Sequence, residues 1–263
     1  VADTCRPTRS SGPVISPITL PSGFTAPSSQ TVATPSNGDI VATVIRKEVA
    51  GSFVVEFEPP DDGAVLAHGK VPLPPYIKRQ PDEADLTDYQ TVFAAHPGSV
   101  AAPTAGLHFT PDLLQILQQK GIRIATITLS LGWASFKTSE RAGQPPPPEP
   151  CTVPQDTAQA VNEAHRKGMS VTAVGTSSLR ALETAATDAG EVTAFAGVTD
   201  LYIRPGWKFR VVDHLVTNFH LPGSSHLLLV AAFAGIDLAR EAYETAVRER
   251  YRFYSYGDAM IIL

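Results

Sequence analysis

Ser170-Val171-Thr172-Ala173-Val174-Gly175-Thr176-Ser177-Ser178-Leu179-Arg180 reads as a short strand, a glycine turn and the opening of a helix. A strand feeding a helix through small residues is the repeating unit of an α/β fold. Working outward, residues 156–167 carry a helical pattern that Gly168 stops, and the helix after the turn runs on over 179–187. Upstream, Thr110-Pro111-Asp112 supplies an N-cap residue and a proline at the first helical position. Leu113, Leu114 and Leu117 then share one face until Gly121. Residues 122–131 (IRIATITLSL) follow as a strand, strand signals recur at 200–203 and 209–215, and helices are expected at 225–234 and 238–248. The alternation predicts an α/β body with a mainly parallel or mixed sheet covered by helices, without internal repeats.

The N-terminal part has a different texture. Residues 1–38 are rich in Pro, Ser, Thr and Gly with little periodicity, and read as loop or tail with poor order. Residues 39–57 (DIVATVIRKEVAGSFVVEF) are β-branched and alternating, broken at Ala50-Gly51, which predicts a hairpin. A lone hairpin is marginal in water and needs further strands or a neighbouring surface. The chain therefore divides at about residue 70, into a tail with a small β module and an α/β body over 71–263. The run 143–150 (GQPPPPEP) lacks amide donors at its prolines and reads as a stiff surface spacer.

With 263 residues, 43% hydrophobic and 18% charged, the chain has material for one sizeable core and a small second one. Its formal net charge of -5 withholds the overall basic field that nucleic-acid binders use, so any RNA contact has to rest on local clusters. Lys78-Arg79, Arg166-Lys167 and Arg204 with Lys208 and Arg210 are the candidates. Cys5 and Cys151 form no zinc or disulfide pattern, and no metal site is expected. Neither a membrane-length apolar run nor a signal peptide is present in the 263 residues, and a cytoplasmic monomer is expected.

Four segments combine histidine, glycine and polar groups beyond what a plain core needs. Thr104-Ala105-Gly106-Leu107-His108-Phe109 runs into a helix start, where free amides receive an anion and His108 serves as acid or base; taken alone, the segment is explained better by a helix cap with a packed histidine. Gly175-Thr176-Ser177-Ser178, with Arg180 behind it, offers amides and hydroxyls to a carboxylate or ribose at a strand end, and is not a Walker loop. In Thr217-Asn218-Phe219-His220-Leu221-Pro222, Asn218 suits a purine edge, Phe219 a stack or the core, and His220 a proton transfer. Residues 251–260 place three tyrosines, an arginine, Gly257 and Asp258 together. A packed final strand accounts for the aromatics there but less readily for Gly257-Asp258, which leaves a ligand role open to Asp258.

In this order the segments resemble the S-adenosylmethionine:tRNA ribosyltransferase-isomerases of queuosine synthesis. The resemblance runs through Pro72-Leu73-Pro74-Pro75-Tyr76-Ile77, Tyr89-Gln90-Thr91-Val92-Phe93, Ala101 to Phe109, Ala173 to Thr176, Thr199-Asp200-Leu201, Pro205-Gly206, Val212-Asp213, Thr217 to Pro222 and Tyr251 to Met260, over about residues 70–263. It implies an open, barrel-like α/β catalytic body with a mixed sheet and a small β-barrel domain inserted before Pro72, whose remnant is the hairpin. It also implies S-adenosylmethionine as co-substrate, no metal, and tRNA as partner. The ribosyl part would pass to 7-aminomethyl-7-deazaguanine in tRNA, leaving an epoxycyclopentanediol and releasing adenine and methionine. His108, His220 and Asp258 are then the catalytic candidates. Thr104, Ala105, Gly106, Leu107, Phe109, Gly175, Thr176, Ser177, Ser178, Arg180, Asn218 and Phe219 are the candidates for holding the donor.

Three departures accompany the resemblance. About seventy unlike residues precede it, Ser130 stands where the family has a histidine, and residues 144–149 keep only Glu149 of a His-x-Met-His-x-Glu segment. Two alternatives follow: an enzyme that uses the same donor on a small-molecule acceptor, or a non-catalytic homologue that binds S-adenosylmethionine.

Overall fold

The computed structural model describes residues 30–32, 40–47, 53–61, 70–74, 76–96, 99–132 and 144–263. The expectations for residues 1–29 and 33–38, Cys5 among them, and for the Ala50-Gly51 turn lie outside them. The chain divides into two compact units, one within 7–71 and one comprising 72–263 with the first six residues.

In the smaller unit, β1 (Gln30–Val32), β2 (Val41–Lys47) and β3 (Phe53–Glu58) form an antiparallel sheet in the order β1-β2-β3. β2 and β3 are the hairpin the alternation predicted. β1 is the third strand such a hairpin needs, pairing Gln30 with Val44 and Val32 with Ala42. Val44 and Ile40 are buried, and the register slips between Val44 and Arg46, leaving exposed Ile45 unpaired as a bulge.

The larger unit begins with α1 (Asp85–Asp88), a 3₁₀ turn (Thr104–His108) and α2 (Pro111–Gln119). Thr110 caps α2 as its sequence predicts, its Oγ1 accepting from the Leu113 N–H at 3.1 Å. Strand β4 (Thr128–Leu129), β5 (Glu149–Val153), α3 (Gln155–Arg166), β6 (Thr172–Val174), α4 (Thr176–Ala185) and β7 (Phe195–Thr199) follow. The chain closes with β8 (His214–Asn218), α5 (Ser225–Ala234), α6 (Ile236–Arg248) and β9 (Ala259–Ile262). Strands β4-β5-β7 make one antiparallel sheet; β6-β8-β9 make a mixed one, with β6 parallel to β8 and β9 antiparallel to it. Leu129, Val153, Leu179, Leu215 and Val230 are almost wholly buried between sheets and helices. The α/β class stands, whereas none of the sheets among the described residues closes into a barrel, and the parallel pairing is confined to β6 and β8.

Three strand expectations need correction, and helix α4 supplies much of the reason. Residues 122–131 form a strand only at Thr128–Leu129, opposite Thr152 and Cys151 of β5, and the Leu131 carbonyl accepts instead from the Val100 and Ala101 amides. The strand expected at 200–203 ends instead at Thr199. The carbonyls of Thr199 and Leu201 accept from the Arg180 guanidinium at 3.2 and 3.0 Å, where a neighbouring strand would have donated. Likewise the amides of Arg210, Val211 and Val212 donate to the Glu183 carboxylate, so β8 begins only at His214 rather than spanning 209–215. Backbone polar groups must find partners when buried, and here two charged side chains of one helix take the place of a ladder. The helices at 225–234 and near 238–248 appear where expected, α6 starting two residues earlier at Ile236.

Candidate active site

A cleft of about 160 Å³ opens where the 3₁₀ turn, the start of β5, the N-terminus of α4 and the end of β8 converge. Gly175 joins β6 to α4 at φ 94°, a left-handed value that favours glycine, with its N–H held by the Val216 carbonyl at 2.8 Å. Thr176, Ser177 and Ser178 then line the cleft at the uncapped first turn of α4. Ser178 is 2% exposed and its Oγ has no hydrogen-bond partner.

At the end of β8, Asn218 is buried and ties three segments together. Its Oδ1 accepts from the Thr104 hydroxyl at 3.2 Å; its Nδ2 donates to the Tyr254 carbonyl at 3.1 Å and to His108 Nε2 at 3.2 Å. Both amide hydrogens are thus engaged within the protein, so Asn218 organises the wall, and its purine-reading capacity shrinks to one oxygen lone pair. The same bond makes His108 Nε2 an acceptor and assigns its proton to Nδ1. Desolvation lowers the His108 pKa, nearby Asp258 opposes this and Arg252 adds to it. His108 is exposed and stands behind Asn218 rather than in the cleft wall.

His220 does line the cleft. Its Nε2 lies 2.8 Å from the Thr217 hydroxyl, its backbone N–H donates to the Tyr243 hydroxyl at 2.9 Å, and its ring stacks on His226 with centroids 5.1 Å apart. Burial, then the neighbouring His226, hold the His220 pKa well below the ordinary value, which makes it a neutral imidazole near pH 7. Burial pushes the Tyr243 phenol up to about 12.

Opposite stands an aromatic wall. Tyr76 and Tyr254 stack at 4.3 Å, and the Tyr76 hydroxyl and Ser255 Oγ are hydrogen-bonded to each other. Tyr254 sits at φ 70°, an unusual conformation for a bulky residue, inside the turn that Asp258 closes by accepting from the Arg252 N–H at 2.7 Å. A Cβ on Gly257 would lie 2.5 Å from the Phe253 carbonyl carbon, so this turn needs glycine. Gly257 and Asp258 are thereby explained as turn chemistry. Arg252 keeps the Asp258 carboxyl ionised below its ordinary range, and Asp258 stays outside the cleft wall.

The remaining donor-binding candidates separate by place. Thr104 and Ala105 line the cleft, while Gly106, Leu107 and Phe109 do not. Gly106 lies against Thr91, and Phe109 packs on Phe93 at 5.9 Å. Phe219 is a core residue, edge-on to Tyr243 and Tyr251. Arg180, 2% exposed, points away: it pairs with Glu149 at 2.7 Å and holds backbone carbonyls. Of the expected basic clusters, Arg79 is committed to buried Asp85 at 2.6 Å, Lys167 to Glu163 and Arg210 to Asp188.

Sequence reasoning missed Glu149, His226 and Tyr76, all of which line the cleft. Two had a signal: Glu149 is the residue kept in the altered 144–149 segment, and Tyr76 lies in the Pro-Leu-Pro-Pro-Tyr-Ile motif. The proline run is corrected too. Pro146 is buried and lines the cleft with Pro147, so this part of the run is a wall of the site, while Gln144, Pro145 and Pro148 stay exposed. Among the described residues no cluster of three metal-ligating side chains exists, and no helix is long and apolar enough to cross a membrane.

These features define an α/β protein whose cleft lies at strand and helix ends, with a carboxylate, two histidines and tyrosines in its wall. The chain belongs to the queuosine biosynthesis protein family, whose profile matches residues 19–262. The match therefore begins some fifty residues earlier than the motifs alone indicated. An S-adenosylmethionine:tRNA ribosyltransferase-isomerase of Syntrophotalea carbinolica is 52% identical over 234 residues, covering 84% of this chain and 68% of that protein. One of Mesorhizobium japonicum is 47% identical over 233 residues, covering 86% and 64%. The crystal structure of S-adenosylmethionine tRNA ribosyltransferase from Thermotoga maritima aligns at a TM-score of 0.52 with 36% identity, covering 86% of this chain and 62% of that one. The chain thus spans slightly under two thirds of the Mesorhizobium protein and of the Thermotoga crystal chain.

Proposed function

We propose that the chain is an S-adenosylmethionine-dependent ribosyltransferase-isomerase acting on tRNA, with the donor in the cleft described above. One observation carries this reading: among the described lining residues there is one carboxylate, Glu149, with Tyr76, Tyr89 and Tyr254, and no lysine or arginine. With Glu149 held by Arg180, aromatic faces in a wall without lysine or arginine suit a cationic sulfonium attached to a nucleoside, and disfavour a polyphosphate. The residues 72–263 are read as the catalytic domain, those within 7–71 as the small β domain, and the setting as cytoplasmic.

A sulfonium acidifies the adjacent C5′ hydrogens, so a neutral base removes one and opens the way to rearrangement; the departing adenine takes up a proton. His220, neutral and in the wall, is the proton-transfer group. His108 acts through Asn218, as a positioning residue. The ribosyl carbons pass to the aminomethyl nitrogen of 7-aminomethyl-7-deazaguanine, and adenine and methionine leave.

The test is incubation of the chain with S-adenosylmethionine and tRNA carrying that base, with mass spectrometry of the released small molecules and of the digested RNA. Adenine, methionine and the epoxycyclopentanediol nucleoside are expected together. Donor binding with no adenine release in the presence of this tRNA would count against the reading.

A further inference from the structure

An amino-acid donor brings a carboxylate as well as a sulfonium, and the cleft has no described cationic side chain to receive it. Two helix N-termini reach the cleft. That of α5 already carries a side-chain cap, Ser224 Oγ accepting from the Leu227 N–H at 3.2 Å. That of α4 has no side-chain cap, because its N-cap residue is Gly175. The first amides of a helix lack intrahelical partners and carry the positive end of its dipole. Independently, Ser178 in the same turn is 2% exposed, lines the cleft, and carries a hydroxyl with no partner. A buried hydroxyl left in that state costs free energy unless a ligand completes it. Nothing on Gly175 blocks the approach: a Cβ there would stand 3.9 Å from Ser178 Oγ and 3.8 Å from the Ala105 side chain.

Resting on the donor assignment above, we infer that the first turn of α4 with Ser178 is the carboxylate subsite of the cleft, which makes it selective for donors that retain the α-carboxylate. A monoanion matches amides and one hydroxyl; a phosphate dianion would call for the lysine or arginine that the described wall lacks.

The experiment measures, by calorimetry, binding of S-adenosylmethionine and of its decarboxylated analogue to the wild type and to Ser178→Ala. The wild type is expected to bind the analogue about tenfold more weakly, the scale of a lost hydrogen bond to a charged group. Ser178→Ala should weaken S-adenosylmethionine binding about fivefold, leave the analogue within about twofold, and so narrow the ratio. Its melting temperature should not fall, because the hydroxyl has no protein partner to lose. A wild-type ratio below about threefold overturns the subsite while leaving the donor assignment intact, as does an equal loss for both ligands in the variant. Failure of the wild type to bind either ligand overturns the donor assignment and the subsite together.

Discussion

Replacing Arg180 by leucine tests how the cleft is held. The guanidinium and the Glu149 carboxylate are 2% and 8% exposed and 2.7 Å apart. The same side chain donates to the carbonyls of Leu201, Thr199 and, at 3.4 Å, Pro147. Leucine fills much of the volume but leaves a buried carboxylate without its cation and buried carbonyls without donors. Removing one partner of a buried pair typically costs about 3–5 kcal/mol, because the remaining charge is uncompensated. For a chain of this size that corresponds to a fall in melting temperature on the order of 10 °C. The Arg180→Leu/Glu149→Leu double variant should recover a good part of it, since the stranded charge is gone. Thermal unfolding of the wild type and the two variants, with donor affinity measured well below their midpoints, separates a structural strut from a ligand contact. If Arg180→Leu melts like the wild type yet binds S-adenosylmethionine tenfold or more weakly, Arg180 faces the ligand and the reasoning fails.

Exchange of His220 for alanine should lower turnover about a hundredfold, the usual scale for a lost acid-base group, while costing about 1–3 kcal/mol of stability because the buried Thr217 hydroxyl loses its partner. A strongly destabilised protein with normal turnover per folded molecule would make it a strut instead. His220 has a folded pKa far below its unfolded value near 6.5, so the unfolded chain binds the proton first. Its contribution to stability is therefore complete above about pH 6.5 and is lost as pH falls from there toward the folded pKa, with a slope of at most about 1.4 kcal/mol per pH unit. Melting curves from pH 8 to 5 should show the wild type losing stability faster than His220→Gln, and parallel curves would refute the assignment. Gly257→Ala forces a Cβ to within 2.6 Å of the Arg252 carbonyl oxygen, so the turn carrying Tyr254 must open. Both donor binding and stability should drop, by more than about 2 kcal/mol for the latter, and unchanged circular dichroism melts would show that the turn tolerates it.

The linear sequence determined the elements whose signals are local. The helix after Thr110-Pro111 is capped by Thr110 as its residues dictate, the hairpin alternation gave β2 and β3, and the Gly175 turn lies between a strand and a helix because each depends on neighbours in the chain. The motifs that name the family are local as well. Where strands end was not local: residues 200–203 and 209–212 have strand-like composition, yet Arg180 and Glu183 on α4 take their backbone groups. Only the tertiary structure decided which polar residues face the cleft. Asn218, Ser178 and His220 lie along its wall, Arg180 and Phe219 turn into the core, and Asp258 closes a turn. Pro146 and Glu149 join the site from one segment and His226 from another far along the chain. A side chain's direction depends on which surfaces pack against its element, and those surfaces come from distant parts of the chain; a residue's type states what chemistry it can do, and packing alone states where it does it.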